Sequence, residues 1–140
     1  MLRIMILDDE KLIRWSLEKI LSQDGYAVDT AATTNDALKL ADKAEYALII
    51  TDLEICGDQA KPFFAHMISK QPKACVVTLT ALTKDQAEKT LGEVATYAII
   101  EKPFTSEAIR SVVNAAVGQT NRKPEGFRQT PNNITKENIG

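Results

Sequence analysis

Four short apolar runs in this chain each end abruptly on a polar group, and that arrangement restricts the fold more than any other feature. Leu2 to Leu7 runs into Asp8 and Asp9, Leu48 to Thr51 into Asp52, and Cys75 to Leu79 into Thr80, while Ala98 to Ile100 is followed by Lys102-Pro103. Runs this short, rich in β-branched residues and apolar at consecutive positions, predict strands covered on both faces. Such strands need helices above and below them, and the polar groups then gather along one edge of the sheet. In an open α/β sheet the C-terminal edge of the strands is where ligands bind.

The segments between the runs have helical spacing. Leu12, Ile13, Leu17, Ile20 and Leu21 predict a helix over Lys11 to Gln23, ended by Asp24-Gly25. Tyr26 to Ala31 is a further strand. Thr33 and Asp36 have the spacing of a capping box for a helix reaching about Ala44, with Ala37, Leu38 and Ala41 inward. After Asp52 the chain loops through Gly57-Asp58, and Pro62 suits the first turn of a helix with Phe63, Phe64, Met67 and Ile68 on one face. Thr83-x-x-Gln86 opens a short, weakly apolar helix that faces in with only Ala87 and Leu91 and closes at Gly92. The last strand covers Thr96 to Ile100. Thr105 caps the last helix, whose stripe is Ile109, Val112, Val113, Ala116 and Val117.

The order βαβαβαβαβα implies a parallel sheet with right-handed crossovers and helices on both faces. Five strands suit a doubly wound, flavodoxin-like α/β fold with strand order 2-1-3-4-5 and five helices. That order sets strand 1 beside strand 3, so Asp8, Asp9 and Asp52 converge, with Thr80 and Lys102 on the other flank. Residues 1–118 form the domain. Residues 119–140 are aperiodic and read as a flexible C-terminal tail or linker.

A length of 140 residues fits one domain with its own core. A net charge of −2 gives no general attraction for nucleic acid or an anionic membrane, and the tail is too short to be a DNA-binding module. No apolar run nears the ~20 residues that span a bilayer. With no signal-peptide shape at Met1-Leu2-Arg3 and only Cys56 and Cys75 as cysteines, the expected location is the cytoplasm. His66, the single histidine, falls off the Phe63/Met67 face and reads as exposed, neither a metal ligand nor a relay.

Three carboxylates in one cleft repel each other, and burial increases the repulsion. A hard divalent cation relieves it, and Mg²⁺ takes oxygen ligands while keeping waters and a phosphate oxygen in its shell. A carboxylate left free can then act as a nucleophile toward phosphorus, since aspartyl phosphates are known intermediates. The Lys102 ammonium, the Thr80 hydroxyl and nearby backbone N–H groups are suited to the phosphoryl oxygens.

These residues together resemble the bacterial response-regulator receiver domain of two-component systems. The matching motifs are Leu7-Asp8-Asp9-Glu10, Asp52 after its strand, Thr80-Ala81 after the fourth, and Lys102-Pro103-Phe104 after the fifth. The resemblance covers about residues 1–118. It implies that Asp52 is the phosphoacceptor, that Asp9 ligates Mg²⁺ directly and Asp8 often through water, and that the Glu54 position gives the metal a backbone carbonyl. It makes Thr80 the hydroxyl that moves toward the phosphoryl group, Lys102 the lysine partner, and the bond before Pro103 cis. The implied donor is a phosphohistidine on a sensor histidine kinase or phosphotransfer protein. The implied receivers of the signal are a downstream effector protein, an output domain missing from this sequence, or a second copy in a homodimer. Self-catalysed phosphorylation and slow dephosphorylation are expected, with no external substrate. One departure is Ile99, where the family usually has an aromatic three residues before the lysine.

Other readings carry less. A degenerate receiver that scaffolds partners without phosphate turnover would not need the full acidic set. A flavin binder of the same fold would want a Ser/Thr-rich loop after the first strand, where three acidic residues would repel a flavin phosphate. Asp8-Asp9 as a helix cap alone needs only one Asp. Trp15, opposite Ile13 and Ile20, reads as surface or as a docking contact for the kinase.

Overall fold

The computed structural model describes residues 1–122. Strands β1 (Arg3–Leu7), β2 (Ala27–Ala31), β3 (Leu48–Asp52), β4 (Cys75–Thr80) and β5 (Ala98–Glu101) alternate with helices α1 (Lys11–Gln23), α2 (Thr34–Ala41), α3 (Ala60–Lys70), α4 (Lys84–Leu91) and α5 (Ser106–Arg122). All strand pairs are parallel and the sheet order is β2-β1-β3-β4-β5, as the pattern predicts. The sheet divides two apolar layers. Ile4, Ile6, Leu48, Ile50, Val77 and Leu79 pack on α1 and α5 through Leu17, Leu21, Ile109 and Val113. Met5, Leu7 and Ile49 pack on the opposite side against Ala37, Phe64, Met67, Ala87 and Leu91 of α2, α3 and α4. Neighbouring residues of β1 thus serve different layers, which is why it is apolar at every position from Ile4 to Leu7.

Local signals set the helix starts. The Thr33 hydroxyl accepts from Asp36 N–H, both bonds of the Thr83/Gln86 capping box form, and Thr105 accepts from Ala108 N–H. Gly92 ends α4 with φ +60°, a conformation that disfavours side chains carrying a Cβ.

The structure differs from the sequence reading in several places. Leu12 is 71% exposed. At ~100° per residue it lies about 180° around α1 from buried Leu21, so it belongs to the outer face. The chain after Asp52 is a 3-10 helix, Glu54–Gln59, kinked at Gly57 (φ +56°), rather than an open loop. Helix α2 stops at Ala41 instead of near Ala44, where the Gln71 amide takes the Ala41 carbonyl that would otherwise seek the next turn. Strand β5 begins at Ala98 rather than Thr96. Helix α5 runs through Gly118 to Arg122, past the expected domain end, and the rest of the expected tail, 123–140, lies outside the described residues. Among the described residues no helix is long and apolar enough to cross a membrane.

Candidate functional site

The pairing of β1 with β3 aligns Leu7 with Thr51, so the residues that follow each end side by side. Asp8 N–H donates to the Ala31 carbonyl and Leu53 N–H to the Leu79 carbonyl, which extends the ladders past the strand ends and fixes both acidic positions. On the other flank Lys102 N–H donates to the Thr80 carbonyl at 2.7 Å, and the Lys102-Pro103 bond is cis. Four strand ends therefore hold their polar residues from the backbone outward.

Asp8, Asp9 and Asp52 offer carboxylate oxygens that all lie within 4.8 Å of one another. Asp8 and Asp52 are buried while Asp9 is exposed. The Lys102 ammonium stands 2.9 Å from Asp8 Oδ2, 3.1 Å from Asp52 Oδ1 and 3.2 Å from Glu10 Oε1. One cation thus faces three carboxylates. Asp8 Oδ1 accepts from Glu10 N–H, and the Asp8 carbonyl accepts from Arg14. Asp8 Oδ2, despite the nearby ammonium, receives no directed hydrogen bond and is the one buried side-chain oxygen among the described residues left so. Its contact with Lys102 is ionic proximity without hydrogen-bond alignment.

The electrostatics follow from this crowding. Burial pushes the Asp52 carboxyl up to about 6; the Lys102 hydrogen bond opposes the rise, and the charges of Asp8 and Glu54 add to it. Lys102 is held well above the ordinary lysine value: burial acts to lower it, but its close pairing with the Asp8 and Asp52 carboxylates outweighs that. Burial, helped by the Asp52 charge, lifts the nearby Cys56 thiol to about 11, so it stays protonated at neutral pH.

The donor set fits a hard divalent cation. Ligand oxygens at ~2.0–2.1 Å from an octahedral ion sit roughly 3–4 Å apart, close to the spacing of this cluster. An unbonded buried carboxylate oxygen beside two more carboxylates is what such an ion would satisfy.

Of the residues singled out in the sequence, Asp8, Asp9, Asp52 and Lys102 meet in one cleft. Thr80 reaches the same edge, but its hydroxyl donates to Glu54 Oε2 at 2.5 Å and accepts from Leu82 N–H. The Glu54 side chain was not foreseen in this role, and no signal in the sequence points to it. Glu10, also missed, shares Lys102; its place directly after Asp8-Asp9 was the available hint. His66 is exposed, and Trp15 is 57% exposed with the Lys19 ammonium 4.9 Å above its ring.

Comparison with known proteins agrees with this geometry. The family model for the response regulator receiver domain matches residues 4–114. The chain is 29% identical over 126 residues to the transcriptional regulatory protein PmrA of Pectobacterium parmentieri, covering 87% of this chain and 57% of that protein. It spans about half the length of the curated relatives it matches. A CheY-like receiver from Methanospirillum hungatei superposes with a TM-score of 0.81 at 19% identity, covering 89% of this chain and 99% of that one, a likeness of fold alone. The response regulator TrrA of Thermotoga maritima, solved in complex with Mg(2+)-BeF, is 28% identical with a TM-score of 0.66, covering 83% of this chain and 99% of that one.

Proposed function

The chain belongs to the response regulator receiver domain family of two-component signalling, and on that premise we propose that Asp52 accepts a phosphoryl group in a Mg²⁺-dependent reaction. The observation that carries this reading is the buried Asp52 carboxylate, paired with Lys102 inside a three-carboxylate cluster. Without metal its carboxyl lies at about 6, so it is still mostly ionised at neutral pH, the form in which a carboxylate acts as a nucleophile.

The ion would be held by Asp9 and Asp52 directly, by Asp8 through water, and by the Glu54 backbone carbonyl. When bound it would neutralise charge on the phosphoryl oxygens. Lys102, 3.1 Å from Asp52 Oδ1, holds the nucleophile in place and offers a positive charge to the group it receives. An Asp52 oxygen forms the new P–O bond as the P–N bond of a phosphohistidine breaks, and the freed imidazole takes up a proton. Thr80 and the Ala81 N–H lie at the neighbouring strand end, where hydrogen-bond donors for the transferred oxygens are needed. The donor we propose is a sensor histidine kinase or phosphotransfer protein in the cytoplasm. The output passes to an effector protein or to a further domain, since the relatives are longer than this chain.

Intact mass measured before and after acetyl phosphate treatment tests the assignment. The expected result is one phosphoryl mass, gained only with Mg²⁺ present. An Asp52→Asn protein that still gains it in full overturns the assignment.

A further inference from the structure

The Glu54 side chain has no part in the reading above, yet it makes two directed contacts at this edge. Thr80 Oγ donates to its Oε2 at 2.5 Å, and Ala81 N–H donates to its Oε1 at 2.9 Å. One carboxylate is thus captured by donors on two successive residues, the fork-like arrangement in which anions are held tightly. Strand pairing sets Asp52 opposite Leu79, so Thr80, the last residue of β4, and Ala81 just after it stand one and two residues beyond the Asp52 level. Glu54 stands two residues beyond Asp52 on its own segment, and its side chain bridges from one strand end to the other.

Resting on the reading that Asp52 carries the phosphoryl group, we propose that the Glu54 carboxylate is an internal competitor for that group, already seated on the Thr80 hydroxyl and Ala81 N–H that a tetrahedral anion on Asp52 would draw upon. The anion gains these donors only when Glu54 gives them up, and the displaced carboxylate is then left near added negative charge. The single ammonium here is already shared by Asp8, Glu10 and Asp52 and leaves little positive charge to spare. Because the two donors are satisfied beforehand, the start of the β4–α4 segment is held in an anion-bound arrangement before any phosphoryl group arrives. Glu54 therefore raises the threshold for phosphorylation.

The test titrates beryllofluoride with saturating Mg²⁺ into the full chain, followed by amide NMR. Glu54→Ala should bind roughly tenfold tighter than wild type, the gain expected from freeing charge-assisted hydrogen bonds. Glu54→Gln keeps the length and one acceptor oxygen, and should fall between; it also carries the test if the shorter variant unfolds. Glu54→Asp keeps the charge but is one methylene too short to bridge, and should bind tighter as well. Before any ligand is added, the Ala81 amide resonance should move in Glu54→Ala. If Glu54→Asp keeps the wild-type midpoint while Glu54→Ala tightens, simple charge repulsion is at work and the competitor is overturned. Equal or weaker binding in Glu54→Ala also overturns it and leaves phosphorylation at Asp52 standing. No response in any form overturns both.

Discussion

The two ends of the sheet both bury polar side chains, and they treat them in opposite ways. At the N-terminal end Gln71, 5% exposed, is fully employed. Its Oε1 accepts from Tyr46 N–H at 3.0 Å, and its Nε2 donates to the carbonyls of Ala41 and Ala44 at 2.9 and 2.8 Å. This neutral amide ties the end of α2, the entry to β3 and the entry to β4 into one knot. At the C-terminal end Asp8 and Asp52 are as deeply buried, yet three carboxylates share one ammonium, Asp8 Oδ2 lacks a hydrogen bond and Asp52 titrates near 6. Polar burial alone therefore does not mark the functional site. What marks it is polar burial left incomplete, because an unmet electrostatic demand can be met by an incoming ion or group. The satisfied end should contribute stability, and the unsatisfied end should cost it.

The largest effect expected from this contrast is at Gln71. Gln71→Leu strands one N–H and two carbonyls in the interior and should cost about 2–4 kcal/mol in urea denaturation, with phosphoryl uptake per folded molecule unchanged. A loss below ~0.5 kcal/mol would break the comparison, since the knot would then not be what holds that end.

The opposite sign is expected at Asp52. Its folded pKa of about 6 lies above the ordinary 3.8, so the fold prefers the protonated carboxyl. The stability this gives is fully present below the unfolded value and is lost as pH rises through the folded one. Metal-free protein should therefore lose stability between about pH 4 and pH 6 from this group. Asp52→Asn should be more stable than wild type at pH 7 by about 1–3 kcal/mol, given ~1.4 kcal/mol per pKa unit. Urea midpoints for both proteins in chelator across that range would show the difference growing with pH. A difference that stays flat, or an asparagine variant that is less stable, removes the strain from that end of the sheet.

The smallest effect is that of Mg²⁺. Since it relieves the same repulsion, a concentration a few times its Kd should add about 1 kcal/mol and raise the melting temperature by a few degrees. Asp9→Ala should lose most of that shift, whereas Gln71→Leu should keep it despite its lower starting point. An equal shift in wild type and Asp9→Ala would place the ion elsewhere and sharpen the contrast to Asp8 and Asp52 alone.

Much of this was legible in the chain itself. Short apolar runs separated by segments of helical spacing dictate parallel strands buried on both faces, and the order of elements leaves few ways to arrange them. A polar residue at the end of such a run has nowhere to be but the C-terminal edge, so Asp8, Asp9, Asp52, Thr80 and Lys102 could be gathered in advance. The caps at Thr33, Thr83 and Thr105 were equally readable, because a cap is decided within four residues.

The tertiary structure alone decided the partners of long side chains. Periodicity tells which face of an element a residue occupies, but not where the end of a flexible side chain reaches across the molecule. Gln71 follows the last residue of α3, and its side chain binds segments 25 to 30 residues away. Glu54 looked like a source of one backbone carbonyl, and its carboxylate instead engages Thr80 and Ala81, 26 and 27 residues on. Asp8 and Asp9 are the same residue type one position apart, and only packing buries the first and exposes the second. Each of these depends on a distance between elements far apart in sequence, set by how the sheet and its helices pack together.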